Sequence, residues 1–150
     1  NVLKILFEII DPDYAFFGLK DYQQVAVVRK LVEILQSDIQ IIACDTKRDD
    51  NGLALSSRNL RLSDVQKNQA AEVSRFLLNL RRNYTVNMPI QLIKDNLIDL
   101  IHKFDFNLDY FEIAHPTTLE TYSTLPAEGN AMALIAYYAG EVRLIDNCYV

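Results

Sequence analysis

Two short apolar runs on either side of an amphipathic helical pattern constrain the first part of this chain most strongly. The runs are Tyr14–Phe17 and Ile39–Cys44, and their composition suits buried strands. Between them Asp21 is placed to cap a helix, one face of which carries Val25, Val28, Val32 and Leu35. Pro12 ends another short helical pattern upstream. Because strand, helix, strand is the unit of a parallel sheet, we predict an α/β fold that begins with parallel strands.

Two further helical patterns follow in the second half of the chain. Ser63 and Gln66 form a capping-box pattern at the start of the first helix. The apolar face of that helix is predicted to contain Val73, Phe76, Leu77 and Leu80. A second helix is predicted from Pro89 to Phe104, where apolar residues recur at spacings of three and four.

Alternating patterns in the last third of the chain predict a small antiparallel sheet packed on these two helices. The period becomes two from Leu108, which places Asp109, Phe111 and Ile113 on one face and Leu108, Tyr110 and Glu112 on the opposite face. The run Met132–Tyr138 predicts a second strand, and a tight turn at Ala139-Gly140 leads into Val142–Ile145. This sheet and its helices form a small α+β domain.

A charged, turn-rich segment separates the two halves of the sequence. It begins at Thr46 and continues through the polar run 47–52, which ends at Gly52. We predict a mobile loop over Thr46–Asn59 and a domain boundary after Gly52, so that the domains are 1–52 and 53–150.

Composition excludes several classes of function. Fifteen basic and twenty acidic side chains give a net charge of -5, which argues against nucleic acid or anionic membrane as partners. No signal-peptide pattern and no metal-ligand spacing occur, and Cys44 and Cys148 form no paired motif, which fits a reduced, cytoplasmic setting. The sequence starts with Asn1 inside an amphipathic pattern that is already under way, so we expect an upstream part.

The junction between the first strand and its helix is the first candidate site. Gly18–Gln24 lies where ligands bind in open parallel sheets. The helix N-terminus favours anions, Lys20 supplies a charge suited to phosphate, Asp21 can accept from ribose hydroxyls, and Gln24 offers a donor and an acceptor. The alternative is purely structural, with Gly18 ending a strand, Asp21 capping a helix and Lys20 in solvent.

The second candidate site is the run Ser56–Asn59. Two hydroxyls and the Arg58 guanidinium provide several donors for a triphosphate whose charge shifts during attack at the α-phosphorus. The alternative is a polar linker between domains. Lys47 and Arg48 fit either a phosphate clamp or a solvated charge pair, and we favour the solvated pair. His102 and His115 lack partners at metal or triad spacing and are assigned structural roles.

Three motifs together resemble the pantoate-β-alanine ligase family. They are FGLKDYQQ at Phe17–Gln24, GLALSSRN at Gly52–Asn59 and VRLIDN at Val142–Asn147. Their order and spacing also match the C-terminal half of that family. The resemblance implies that residues 1–52 are the end of a Rossmann-like nucleotidyl-transferase domain. It implies that residues 53–150 form a small lid domain.

The resemblance also implies a reaction and a set of roles. ATP, carrying Mg²⁺ as part of the substrate complex, would activate pantoate as pantoyl adenylate, and β-alanine would then displace AMP. Gly18, Leu19, Lys20 and Asp21 would line the nucleotide, and Gln24 would hold pantoate. The backbone of Lys47 would lie near adenine, and the phosphate loop would consist of Leu55, Ser56, Ser57 and Arg58. The complete enzyme is expected to be a homodimer without a tightly bound cofactor.

Two departures from the family pattern qualify these expectations. Leu19 stands where the family usually has Glu, and the family's His-x-Gly-His motif and its upstream pantoate glutamine are absent from this sequence. We therefore expect a fragment that is inactive alone. Two alternatives remain open at this point: a nucleotide-binding or partner-binding module without catalysis, and an adenylate-forming ligase with a different acid and amine.

Overall fold

The computed structural model describes residues 2–127, 129 and 131–150. It divides into two compact units, Asn1–Thr46 and Lys47–Val150. The division lies between Thr46 and Lys47, earlier in the chain than the predicted boundary after Gly52. Over the described residues, no helix is both long and apolar enough to cross a membrane.

The first unit is built around the predicted pair of parallel strands. Its elements are α1 (Val2–Ile10), β1 (Tyr14–Gly18), α2 (Tyr22–Ile34) and β2 (Gln40–Cys44). Strands β1 and β2 pair in parallel, as predicted. Its core contains Phe7, Val28, Val32 and Ile39, against which Ala15, Phe17 and Ile41 pack.

Strands β1 and β2 are partly buried on one face and exposed on the other, which corrects the prediction of two buried strands. Ala15 and Phe17 face the core formed with α1 and α2, whereas Tyr14 and Phe16 are exposed, Phe16 by 69%. Successive strand residues point to opposite faces, and in this unit both helices contribute to the core on the same face.

The second unit combines helices with an antiparallel sheet. Its elements are α3 (Asp64–Leu78), α4 (Leu80–Asn83), α5 (Ile90–Lys103), β3 (Asn107–Ala114), β4 (Met132–Ala139) and β5 (Val142–Tyr149). The strands are hydrogen-bonded in the order β3-β4-β5. Both predicted helices and the predicted sheet are present. The first helix ends at Leu78, and Leu80 instead begins the short helix α4, which was not predicted.

A β-bulge in β3 corrects the predicted faces of that strand. The register against β4 shifts between Leu108 and Tyr110, so one extra residue is inserted at Asp109. As a result Asp109 points to solvent, where it accepts hydrogen bonds from Arg143, while Phe111 and Ile113 stay in the core. Leu108, predicted on the opposite face, packs against that core.

The helix starts differ from each other in how they are capped. The Ser63 side chain accepts from the Gln66 backbone N–H, and the Gln66 side chain accepts from the Ser63 N–H, which confirms the capping box. Asp21 occupies the cap position of α2, but its side chain forms no capping hydrogen bond. The prediction that Asp21 caps this helix is therefore wrong for its side chain.

Candidate functional site

The junction between β1 and α2 lies where the two parallel strands end together. Gly18, the last residue of β1, pairs with Cys44, the last residue of β2. One turn of 3-10 helix over Leu19–Asp21 then leads into α2. Gly18 has extended backbone angles, and a Cβ there would meet no atom within 4 Å. Neither backbone conformation nor crowding therefore explains why this position is glycine.

The predicted ligand-binding residues of the first unit are brought together at this junction. Asp21 and Gln24 are exposed around the start of α2, and Leu19 and Lys20 are half-buried beside them. Helix α2 contains 13 residues, so the N–H groups of its first turn favour a negatively charged ligand. Because Asp21 forms no side-chain cap, the purely structural explanation of Asp21 loses its main support.

The first part of the predicted mobile loop is instead folded back on itself. Arg48 and Ala54 form an isolated antiparallel bridge, and the Leu55 N–H donates to the Lys47 carbonyl at 2.8 Å. Within the turn, the Oδ1 atom of Asp49 accepts from the N–H of Leu53 at 3.0 Å. Local hydrogen bonds therefore define a turn over Lys47–Leu55. The predicted mobility of Thr46–Asn59 stays a prediction.

The predicted phosphate-binding residues follow directly on this folded loop. Ser56 precedes a 3-10 helix over Ser57–Arg61, and its Oγ accepts from the Arg58 N–H at 3.2 Å. The Ser57 and Arg58 side chains are exposed, and Leu55 is exposed by 53%. The second unit thus brings together Lys47, whose carbonyl accepts from Leu55, and the predicted phosphate residues that follow.

Arg48 is an ion-paired residue, which corrects the prediction of a solvated charge pair. Its Nη1 and Nη2 atoms donate to the two carboxylate oxygens of Asp146 at 2.7 and 2.8 Å. Nη1 also donates to the carbonyl of Gly52 at 3.0 Å, and Nη2 donates to that of Asn147 at 3.3 Å. Burial alone would lower the pKa of Arg48, but the hydrogen bonds and charge of Asp146 outweigh it and raise this pKa.

Asp146 is the centre of this buried network, and sequence reasoning missed its role. The side chain of Asp146 is 4% exposed, and it also accepts from Ser74 Oγ and from the Asn147 N–H, both at 2.8 Å. The alternating pattern of β5 indicates that Asp146 is buried, because Val142, Leu144 and Asp146 share one face of this strand. A carboxylate on a buried strand face requires a cationic partner, and Arg48 supplies it.

Cys148 and Tyr137 lie near Asp146 and are held in their neutral forms. Burial first, and the Asp146 charge second, raise the pKa of the Cys148 thiol to about 12, although Arg48 opposes this rise. The Cys148 thiol donates to the Leu77 carbonyl at 3.2 Å. Burial and the Asp146 charge also raise the pKa of Tyr137. A thiol with so high a pKa is a poor nucleophile at neutral pH.

Comparison with known proteins gives a consistent result over the whole chain. Residues 1–149 match the family model described as Pantoate-beta-alanine ligase. Pantothenate synthetase of Azobacteroides pseudotrichonymphae is 39% identical over 148 residues, covering 98% of this chain and 52% of that protein. Pantothenate synthetase of Leptospira biflexa is 40% identical over 150 residues with the same coverage. The chain spans about half the length of the curated relatives it matches.

Solved structures agree with the sequence comparisons. The crystal structure of the Thermus thermophilus pantothenate synthetase matches with a TM-score of 0.85 and 33% identity, covering 99% of this chain and 54% of that one. The Francisella tularensis pantoate-beta-alanine ligase, solved in complex with beta-gamma ATP and β-alanine, matches with a TM-score of 0.68 and 28% identity. That alignment covers 99% of this chain and 47% of the Francisella chain. The present chain therefore belongs to the pantoate-beta-alanine ligase family.

Proposed function

We propose that this chain is the C-terminal part of an ATP-dependent ligase that condenses pantoate with β-alanine to form pantothenate, a step of coenzyme A biosynthesis. The observation that carries the proposal is the family match over residues 1–149, which includes both candidate sites. The Francisella relative, solved with an ATP compound and β-alanine, supports the choice of substrates.

The proposed chemistry proceeds in two steps. A pantoate carboxylate oxygen attacks the α-phosphorus of ATP, forming the acyl-phosphate bond of pantoyl adenylate and breaking the bond to the leaving pyrophosphate. The β-alanine amine then attacks the acyl carbon, and AMP leaves with the oxygen as the amine loses a proton. The carboxylate is already a nucleophile, so the first step requires positioning and charge stabilisation rather than a general base.

We assign nucleotide and pantoate binding in the first unit to the strand-to-helix junction. Gly18, Leu19, Lys20 and Asp21 line the nucleotide in this proposal, with Lys20 on phosphate and Asp21 near the ribose. Gln24, exposed just inside α2, binds pantoate. The coincident ends of β1 and β2 and the N-terminal turn of α2 are what support these roles. On this proposal, residues before the loop complete a Rossmann-like domain.

We assign phosphate binding in the second unit to Leu55, Ser56, Ser57 and Arg58. The exposed Arg58 guanidinium and Ser57 hydroxyl are donors for the α-phosphate and the leaving pyrophosphate. Lys47 contacts adenine through its backbone, and Mg²⁺ enters with ATP as part of the substrate. Lys20, Ser56, Ser57 and Arg58 are the residues we place in the catalytic machinery.

Some residues that the family uses to bind its substrates are absent from this sequence. The sequence has neither the His-x-Gly-His motif nor the upstream pantoate glutamine, so we propose that the 150-residue chain is inactive alone. Assembly of the complete ligase as a homodimer in the cytoplasm stays a prediction.

ATP titration by calorimetry tests the proposal. The chain is fused to the half of the Leptospira biflexa pantothenate synthetase that it does not match, and this fusion is called the joined ligase below. We expect Lys20→Ala to weaken ATP binding about tenfold, whereas Lys30→Ala, which changes an exposed lysine paired with Glu33 on α2, leaves it unchanged. ATP binding without any pantothenate would favour the non-catalytic module, and equal affinities in both variants would remove Lys20 from the site.

A further inference from the structure

The VRLIDN motif at Val142–Asn147 has no part in the chemistry proposed above. It lies on β5, and its one acidic side chain is buried rather than directed to solvent. Burying a carboxylate costs several kcal/mol unless it is paired and fully hydrogen-bonded. Asp146 meets that condition, because each of its two oxygens accepts from two donors.

We propose that Asp146, supported by Ser74, positions the phosphate-binding run Leu55–Arg58 by holding Arg48 in place. The inference rests on the proposed function for the role of that run. Asp146 and Ser74 are positioning residues here, because neither is assigned a contact with substrate.

Asp146 is first connected, through Arg48, to the turn that contains Gly52. Two hydrogen bonds to the Asp146 carboxylate fix the plane of the Arg48 guanidinium, and Nη1 of the same group donates to the Gly52 carbonyl. Gly52 has a φ of +92°, a conformation that L side chains rarely adopt, so its carbonyl direction is set by this turn. Arg48 therefore ties β5 to the point where the loop reverses.

The second step runs from the turn to the phosphate-binding run. The bridge between Arg48 and Ala54 and the bond from the Leu55 N–H to the Lys47 carbonyl fix where the chain leaves the turn. The Asn59 side chain then donates to the Ala54 carbonyl at 3.1 Å, which ties the 3-10 helix to the same turn. The donors of Ser57 and Arg58 lie between these two attachment points.

This positioning has a kinetic consequence. Donors that are already in position stabilise the transition state fully. If the loop must become ordered during the reaction, the lost conformational entropy offsets part of that stabilisation. Misplacement by about 1 Å costs on the order of 10²-fold in rate. The loss is expected in adenylation, which uses the phosphate donors, and not in the attack of β-alanine on adenylate already formed.

Amide exchange on the 150-residue chain tests the structural half of the inference. In Asp146→Asn, which keeps the shape but turns an amide N–H₂ group toward Arg48, we expect the N–H groups of Leu53 and Leu55 to exchange about tenfold faster or more. Ser74→Ala should show a smaller change in the same direction. Asp109→Asn, which alters an exposed carboxylate paired with Arg143 on the same sheet, should show none. Unchanged exchange of Leu53 and Leu55 in folded Asp146→Asn would overturn the inference.

The two half-reactions of the joined ligase test the functional half. In Asp146→Asn we expect adenylation to slow about 10- to 100-fold, with β-alanine attack on supplied pantoyl adenylate within about twofold of normal. Arg48→Lys keeps the charge but cannot donate to both carboxylate oxygens in the same geometry, so this variant should retain only part of the normal adenylation rate. Equal losses in both half-reactions would show a merely structural role and overturn the inference. A joined ligase that is inactive without any substitution would contradict the proposed function instead, while the exchange result would still decide the coupling.

Discussion

The guanidinium of Arg48 and the carboxylate of Asp146 are 98 residues apart in sequence and are joined by hydrogen bonds of 2.7 and 2.8 Å. This pair attaches the residues after Thr46 to β5, so the loop belongs to the second unit. Arg48 therefore explains why the boundary between the units precedes the charged run instead of following Gly52.

Removing one partner of this pair should strongly destabilise the second unit. We expect Asp146→Ala to lower the free energy of unfolding by about 3 kcal/mol, because it leaves the half-buried Arg48 charge with carbonyl acceptors but no carboxylate. Asp109→Ala breaks the ion pair with Arg143, whose side chains are 38% and 40% exposed, and should cost about 1 kcal/mol or less. Urea denaturation of both variants measures the difference, and similar losses would contradict the buried-network account.

Stability should fall in alkali because of Cys148. Its thiol pKa is raised from 9.0 to about 12 in the fold, so the thiol is neutral in both states below pH 9 and full stability is retained there. Above pH 9 the unfolded chain ionises first, and the free energy of unfolding should drop by up to about 1.4 kcal/mol per pH unit as pH approaches 12.

Comparison of two cysteine variants isolates this effect. Between pH 8 and about 9, where the buried Tyr137 does not yet contribute in the same direction, Cys148→Ala should lose the slope of stability against pH. Cys44→Ala removes an exposed thiol and should keep it. Urea melts across this range measure the slopes, and an unchanged slope in Cys148→Ala would assign the pH dependence to another group.

Lys20 and Arg58 are expected to act on charge that develops during adenylation. In the joined ligase, Lys20→Ala and Arg58→Ala should each slow single-turnover adenylate formation on the order of 10²- to 10³-fold, and should weaken ATP binding less. Thermal melts check that both variants fold, since both side chains lie outside the cores. Near-normal adenylation in folded variants would return these residues to a structural or solvated role.

Gln24 should affect pantoate alone. Gln24→Ala is expected to raise the pantoate KM about tenfold, because an exposed amide at the start of α2 would lose its contacts with that substrate, while the KM for ATP stays nearly constant. Gln23→Ala, the neighbouring exposed residue, is the matched control. Steady-state kinetics with each substrate varied in turn would contradict the assignment if both KM values rose together.

The sequence predicted elements whose signal is local and periodic. Apolar spacing along the chain predicts the parallel strands and the antiparallel sheet. The pair Ser63 and Gln66 predicts the capping box. The burial of β1 was overpredicted because an apolar run such as Tyr14–Phe17 does not say how many faces of a sheet are covered. The bulge at Asp109 breaks the period of two and leaves no mark in composition.

The positions of the candidate site residues in the fold were predicted from the sequence, whereas the contacts that hold the loop beside them were not. Gly18–Gln24 and Ser56–Arg58 occupy the junction and the loop end at which the motifs placed them. Arg48 was misjudged because charge runs are usually solvated, and its partner lies in another motif far along the chain. Long-range pairing of this kind depends on tertiary contacts, which spacing along the sequence does not record.

Product formation by the joined ligase is the most direct test of the central claim that this chain supplies the C-terminal part of a pantoate-β-alanine ligase. With ATP, pantoate and β-alanine, we predict that the joined ligase forms pantothenate and AMP in equal amounts, that the 150-residue chain alone forms neither above the blank, and that the joined Lys20→Ala, Arg58→Ala double variant forms almost none. The absence of pantothenate from a folded joined ligase that binds ATP, or its formation by the 150-residue chain alone, would contradict the account.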